Sequence, residues 1–138
     1  MEKSAPAKIL IVDDEERNRK LLDVLLQTEG YQTLSAESGA EALSLAASEE
    51  PDLILLDLMM PDMDGFDVTR SLKSNPATSD IPIMIVSALD DVAARRRLLA
   101  SGADEFINKP VDRWELSLRL EKLLRGHSDP AEGGGENV

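Results

Sequence analysis

Three short unbroken aliphatic runs, ILIV at residues 9–12, LILL at 53–56 and IMIV at 83–86, constrain this chain more than any other feature. Such a run suits a strand covered on both faces, because a strand with one wet face would alternate apolar with polar side chains. Segments of helical spacing lie between the runs. After Asp13-Asp14, Leu21, Leu22, Leu25 and Leu26 recur with Asn18 on one face, and Gly30 is placed to stop that helix. A weaker strand is predicted over 31–35. Ser38 and Glu41 then form an S-x-x-E capping box for a helix reaching about Ser48. Asp64 can cap a further helix to about Ser74, and the turn-rich NPATSD precedes the third aliphatic run. A helix carrying Val92, Leu98 and Leu99 ends at Gly102, residues 105–107 form a short strand, and a last helix over 112–125 stops at Gly126.

This is a strand–helix unit repeated five times. The expected class is α/β: a (βα)5 flavodoxin-like, doubly wound parallel sheet of strand order 2-1-3-4-5, which sets strands 1 and 3 side by side. Ligands of such sheets bind beyond the carboxyl ends of the strands, where the winding changes direction. The polar residues fall at that rim: Asp13-Asp14 after strand 1, Asp57 after strand 3, Ser87 after strand 4 and Asn108-Lys109 after strand 5. A carboxylate leaving a core in this way must be solvated, paired or bound to metal, because burying it alone costs several kcal/mol or more. Three carboxylates in one crevice repel one another unless a cation intervenes. Lys109 is one such cation. An all-oxygen donor set suits Mg²⁺ as a second, with Mn²⁺ as the alternative. Ser87 can donate a hydrogen bond and Lys109 can face a phosphoryl oxygen, which leaves Asp57 as a competent nucleophile.

Taken singly these residues have plainer explanations. Asp13 could cap the first helix, Lys109 could be a solvated surface lysine, Ser87 a turn residue and Phe106 a core residue. Their joint placement carries the inference. The 138 residues suffice for one domain with a core, and 27 acidic against 15 basic residues give a net charge of −12. Such a surface repels nucleic acid and anionic lipid, so no direct nucleic-acid or membrane partner is expected. The absence of cysteine excludes disulfides and thiolate metal sites and fits a cytoplasmic protein. MEKSAPAK lacks the apolar core of a secretory signal, and residues 1–7 are expected to be flexible. The Gly-rich, acidic segment 126–138 reads as a disordered tail or linker stub.

Asp13-Asp14, Asp57 with its MMPDMDG loop, Ser87-Ala88 and Lys109-Pro110 stand in an order and spacing that resembles the receiver domain of bacterial two-component response regulators, over about residues 8–125. The resemblance implies that Asp57 accepts a phosphoryl group from a sensor histidine kinase or phosphotransfer protein. It implies that Asp14, Asp57 and the Met59 backbone carbonyl ligate Mg²⁺, with Asp13 acting through water. It further implies that Ser87 and Phe106 form a switch pair, that the Lys109-Pro110 bond is cis, and that the last helix–strand–helix face serves an output partner or domain. Met59 and Leu89, two residues beyond Asp57 and Ser87, flank the water's approach in this reading, and neither is suited to hold that water. A slowly self-dephosphorylating receiver is therefore expected. The chain reads as either a stand-alone receiver or the leading part of a longer regulator. Its DLMMPDMDGF and GADEFINKPVD segments look similar to receivers that precede cyclic-di-nucleotide output domains.

Two enzyme or carrier readings compete poorly. A phosphatase of the haloacid dehalogenase type needs a general acid two residues beyond its nucleophile, where this chain has Met59. A flavodoxin-like electron carrier needs a Ser/Thr/Gly-rich phosphate loop after strand 1, where this chain has the acidic DDEERN. On the last helix, Leu116, Leu120, Leu123 and Leu124 share the face expected to meet the core. Trp114 and Leu118 fall elsewhere. They either cover the adjoining loop or mark a partner or homodimer surface.

Overall fold

The computed structural model describes residues 6–57, 65–88 and 92–128. In chain order the elements are β1 (Lys8–Val12), α1 (Glu16–Thr28), β2 (Gln32–Ala36), α2 (Gly39–Glu49), β3 (Leu53–Asp57), α3 (Gly65–Ser74), β4 (Ile83–Ser87), α4 (Val92–Ala100), β5 (Glu105–Asn108) and α5 (Arg113–Ser128). The strands form one parallel sheet of order β2-β1-β3-β4-β5, the doubly wound α/β architecture expected.

The aliphatic runs are continuous because both faces of the sheet are covered. Leu10, Val12, Ile54, Leu56, Ile83 and Ile85 pack on one face with Ala42 and Ala46 of α2 and Val68 and Leu72 of α3. Their chain neighbours Ile9, Ile11, Leu53, Leu55, Met84 and Val86 pack on the other, against Leu22 and Leu26 of α1 and Leu116 and Leu120 of α5. The period-2 alternation of a strand thus feeds two cores from one apolar run. Each fully buried Leu or Ile contributes about 1.5–3 kcal/mol relative to exposure.

The helix ends follow local chemistry. Gly30 (φ 95°) closes α1 in a Schellman motif: its N–H donates to the Gln27 carbonyl and the Tyr31 N–H to that of Leu26, at 3.0 and 3.1 Å. Ser38 caps α2 by accepting from the Glu41 N–H at 3.1 Å, and the Glu41 carboxylate accepts from the Glu37 N–H at 2.9 Å. Asp112 accepts from the Trp114 N–H at 2.9 Å at the start of α5.

Four details differ from the sequence expectation. The second strand sits one residue later than expected, at Gln32–Ala36. Strands β3, β4 and β5 each run one residue further, so Asp57, Ser87 and Asn108 are the last paired residues of strands rather than the first residues of loops. Helix α5 passes through Gly126 to Ser128. A glycine ends a helix by adopting a left-handed φ, and among the described glycines only Gly30 and Gly102 do so; inside a helix it costs only about 1 kcal/mol relative to alanine. Leu21 does not join the core with Leu22 and Leu26 but is 57% exposed, since its position lies about 100° round the helix from Leu22. The expected Asp64 cap lies outside the described residues.

Candidate functional site

Strand register assembles the rim. Val12 is paired with Leu56, so Asp13 and Asp57 emerge level from adjacent strands. Asp57 is opposite Val86 and Ser87 opposite Asn108, which brings Lys109 up beside them one residue later. The Lys109 N–H donates to the Ser87 carbonyl at 2.9 Å, and the Lys109–Pro110 peptide is cis.

The side chains converge accordingly. Asp57 is buried, 8% exposed, with Oδ1 3.6 Å from Lys109 Nζ. Asp13 Oδ2 lies 3.8 Å from the same ammonium. Asp13, Asp14 and Asp57 each place a carboxylate oxygen within 4.8 Å of the others, with Asp14 on the exposed side. Ser87 is fully buried at the neighbouring strand end. Phe106 is paired with Ile85, and Ser87 lies two residues beyond Ile85, so both belong to the same face of the sheet. The Phe106 ring is buried in the core on the α2–α3 side. Met59 and Leu89 lie outside the described residues.

Asp13 is held from three directions. Its N–H donates to the Ala36 carbonyl at 3.1 Å, and its Oδ1 accepts from the Glu15 N–H at 2.9 Å. Its carbonyl accepts from Arg19 Nη1 at 2.7 Å. The helix-start role and the crevice role are thus divided between the two oxygens of one carboxylate. Arg19 escaped the sequence reading, because an arginine six residues after an aspartate has no motif; only the helical turn of α1 brings it back over Asp13.

The donor set is all oxygen, and among the described residues one ammonium, Lys109, lies against Asp13 and Asp57 in a cluster of three carboxylates. That excess of negative charge and the hardness of the donors fit a divalent cation of the Mg²⁺ type. Beside the crevice a mainly apolar groove of about 480 Å³ is lined by Leu21, Leu22, Pro110 and Val111, with Asp13 and Lys109 at its edge.

The chain is thus a doubly wound parallel sheet of flavodoxin topology with an acidic, lysine-facing crevice at its switch point, the class of site that CheY-like domains carry. The chain matches the response regulator receiver domain over residues 9–121 and belongs to that family, the receivers of two-component response regulators. It is 47% identical over 119 residues to the response regulator PleD of Caulobacter vibrioides, covering 86% of this chain and 26% of that protein. It is 42% identical over 133 residues to the response regulator MprA of Mycolicibacterium vanbaalenii, covering 96% and 56%. Among solved structures, the signal receiver domain of a signal transduction histidine kinase from Syntrophus aciditrophicus superimposes with a TM-score of 0.81 at 38% identity, covering 87% of this chain and 91% of that one. The chain thus spans between a quarter and just over half of these two regulators. No described helix is long and apolar enough to cross a membrane.

Proposed function

We propose that this chain is a phosphorylation-controlled switch in which Asp57 is the acceptor. The observation that carries the reading is the buried Asp57 carboxylate, 3.6 Å from Lys109 and clustered with Asp13 and Asp14 at the open end of the sheet. An Asp57 oxygen attacks the phosphorus of a phosphohistidine on a sensor kinase or phosphotransfer protein. The O–P bond forms as the P–N bond breaks, and the imidazole leaves with the electron pair. Lys109 opposes the negative charge on the phosphoryl oxygens, and the Ser87 hydroxyl donates to one of them. Asp14, Asp57 and the Met59 carbonyl would hold Mg²⁺ (or Mn²⁺), and Asp13 would act through water. The ion supplies charge neutralisation between carboxylate and phosphoryl group.

The chain catalyses its own modification and is not a turnover enzyme on an external substrate. Phosphorylation draws Ser87 toward the phosphoryl group and favours the inward Phe106 ring, and a partner that prefers this state binds better. The output is carried by the α4–β5–α5 face to a partner, a downstream domain or a second copy. The apolar groove that borders Asp13 and Lys109 receives the phosphodonor protein. Any nucleic-acid contact belongs to an output domain, since the charge of −12 disfavours it here.

With Mg²⁺ and acetyl phosphate, intact-mass measurement should show one added phosphoryl group, absent in Asp57→Asn. Leu21→Asp should slow transfer from a phosphohistidine protein while leaving acetyl phosphate labelling unchanged. Efficient labelling of Asp57 with all divalent metal chelated would overturn the mechanism.

A further inference from the structure

The chain has two phenylalanines, Phe66 in α3 and Phe106 in β5. Each carries an arginine of α4 over its ring: Arg97 lies 4.1 Å from the Phe66 centroid and Arg95 4.8 Å from that of Phe106. The apolar side chains described for α4 do little to dock it, since Val92 and Leu99 are exposed. Arginine-on-ring contacts are therefore a principal attachment of this helix among the described residues. Arg95 makes a second contact, donating from Nη2 to Asn108 Oδ1 at 2.8 Å. Phe106 and Asn108 are two residues apart on one strand and belong to the same face, so one planar guanidinium spans both.

We propose that Arg95 is the positioning residue of the switch: it caps the buried Phe106 ring and couples that ring to the placement of α4. The inference rests on the switch reading above, in which the Phe106 ring moves between buried and exposed positions. With the ring inward, the guanidinium stacks on it and reaches Asn108, immediately before Lys109 in the chain. With the ring outward, the stacking surface is gone and α4 loses one of the two ring attachments it makes among the described residues. Ring position and helix position thereby become one equilibrium, and the chemistry at Asp57 is transmitted to the α4 surface through a side chain that never touches the phosphoryl group. A guanidinium–aromatic contact and a hydrogen bond at a surface site together bias such an equilibrium by roughly tenfold.

Because the chain has only two phenylalanines, incorporation of 4-fluorophenylalanine gives two fluorine resonances, assigned with Phe66→Leu. Arg95→Ala should move the Phe106 resonance toward its exposed position, with the inward share falling about tenfold, while an unchanged denaturant dependence of unfolding in urea reports an intact fold. Acetyl phosphate with Mg²⁺ should restore the inward signal, Asn108→Ala should give a smaller shift, and Arg95→Lys should recover part of it. A Phe106 resonance unchanged by both Arg95→Ala and Asn108→Ala overturns the proposal. Failure of the switch reading is a separate result: wild-type protein would gain no phosphoryl group, or would gain it with no movement of the Phe106 resonance.

Discussion

Asp57→Asn removes one charge from the crevice at nearly constant volume, and so measures whether the acids strain the unliganded fold. At an effective dielectric of about 20, two unit charges 4.8 Å apart, the outer limit of the carboxylate cluster, repel by about 3.5 kcal/mol. The Lys109–Asp57 contact at 3.6 Å attracts by about 4.6 kcal/mol on the same scale. Among the described charges, the two repulsions from Asp13 and Asp14 therefore exceed the Lys109 attraction by about 2 kcal/mol, and water-like screening reduces this to about 0.6 kcal/mol. Asp14 is exposed, which places the expected gain toward the lower end. Burial of the Asp57 carboxylate adds a desolvation penalty of the same sign. The variant should thus be more stable than wild type without metal, by about 0.5–2 kcal/mol, or roughly 2–6 °C in Tm. Urea unfolding in chelator and in a Mg²⁺ series would test this. Wild type should gain RT ln(1 + [Mg²⁺]/Kd), about 2.7 kcal/mol at a hundred times Kd, and Asp57→Asn clearly less. A variant less stable than wild type in chelator would show that the Lys109 pairing outweighs the repulsion, refuting the argument. An undiminished Mg²⁺ response would remove Asp57 from the metal site.

Four other outcomes are expected. The Thr69 hydroxyl is fully buried in α3 with no hydrogen-bond partner among the described residues, so Thr69→Val should be neutral or stabilising by up to about 2 kcal/mol in urea unfolding. Trp114 and Leu118 are 71% and 68% exposed, so Trp114→Ala and Leu118→Ser should change stability by no more than about 0.5 kcal/mol, while weakening a dimer or output complex in light scattering or titration if their face is an interface. Burial, and then the charges of Glu121 and Glu29, raise the Tyr31 phenol above its ordinary 10.0. The neutral phenol is favoured in the folded state, so its stabilisation is full below pH 10 and is lost as pH rises through the folded value; Tyr31→Phe should flatten that alkaline loss in a pH series of thermal melts. Met59→Asn and Leu89→Glu should each accelerate loss of phosphate from phosphorylated protein in Mg²⁺, measured by intact mass over time, and unchanged decay in both would show that neither position governs the attacking water.

The strands were legible because each aliphatic run has to supply two cores, and no other element of that length needs apolar residues at every position. The crevice was legible for the complementary reason: a polar residue directly after such a run has to emerge at the rim. What the sequence could not disclose was contact between elements that only the winding brings together. Arg19 over the Asp13 carbonyl needs one turn of α1. Arg95 and Arg97 over the two phenylalanines need α4 to lie across β5 and α3. Three consecutive arginines at 95–97 read in isolation as a solvated face, and their targets carry no charge that would betray them.

Asp13 shows why the plain and the functional readings of one residue need not exclude each other. Read from sequence, an aspartate just before a helix is explained by the helix, and that explanation competes with a role in the crevice. In the fold the competition disappears, since Oδ1 accepts from the Glu15 N–H while Oδ2 faces Lys109. The start of α1 thereby orients the very oxygen that meets the ammonium, and Arg19 fixes the peptide from behind. Local helix chemistry is then the cause of the site's geometry. The acids can be held close together, against their own repulsion, because each is anchored by a strand end or helix start that the two hydrophobic cores already hold in place.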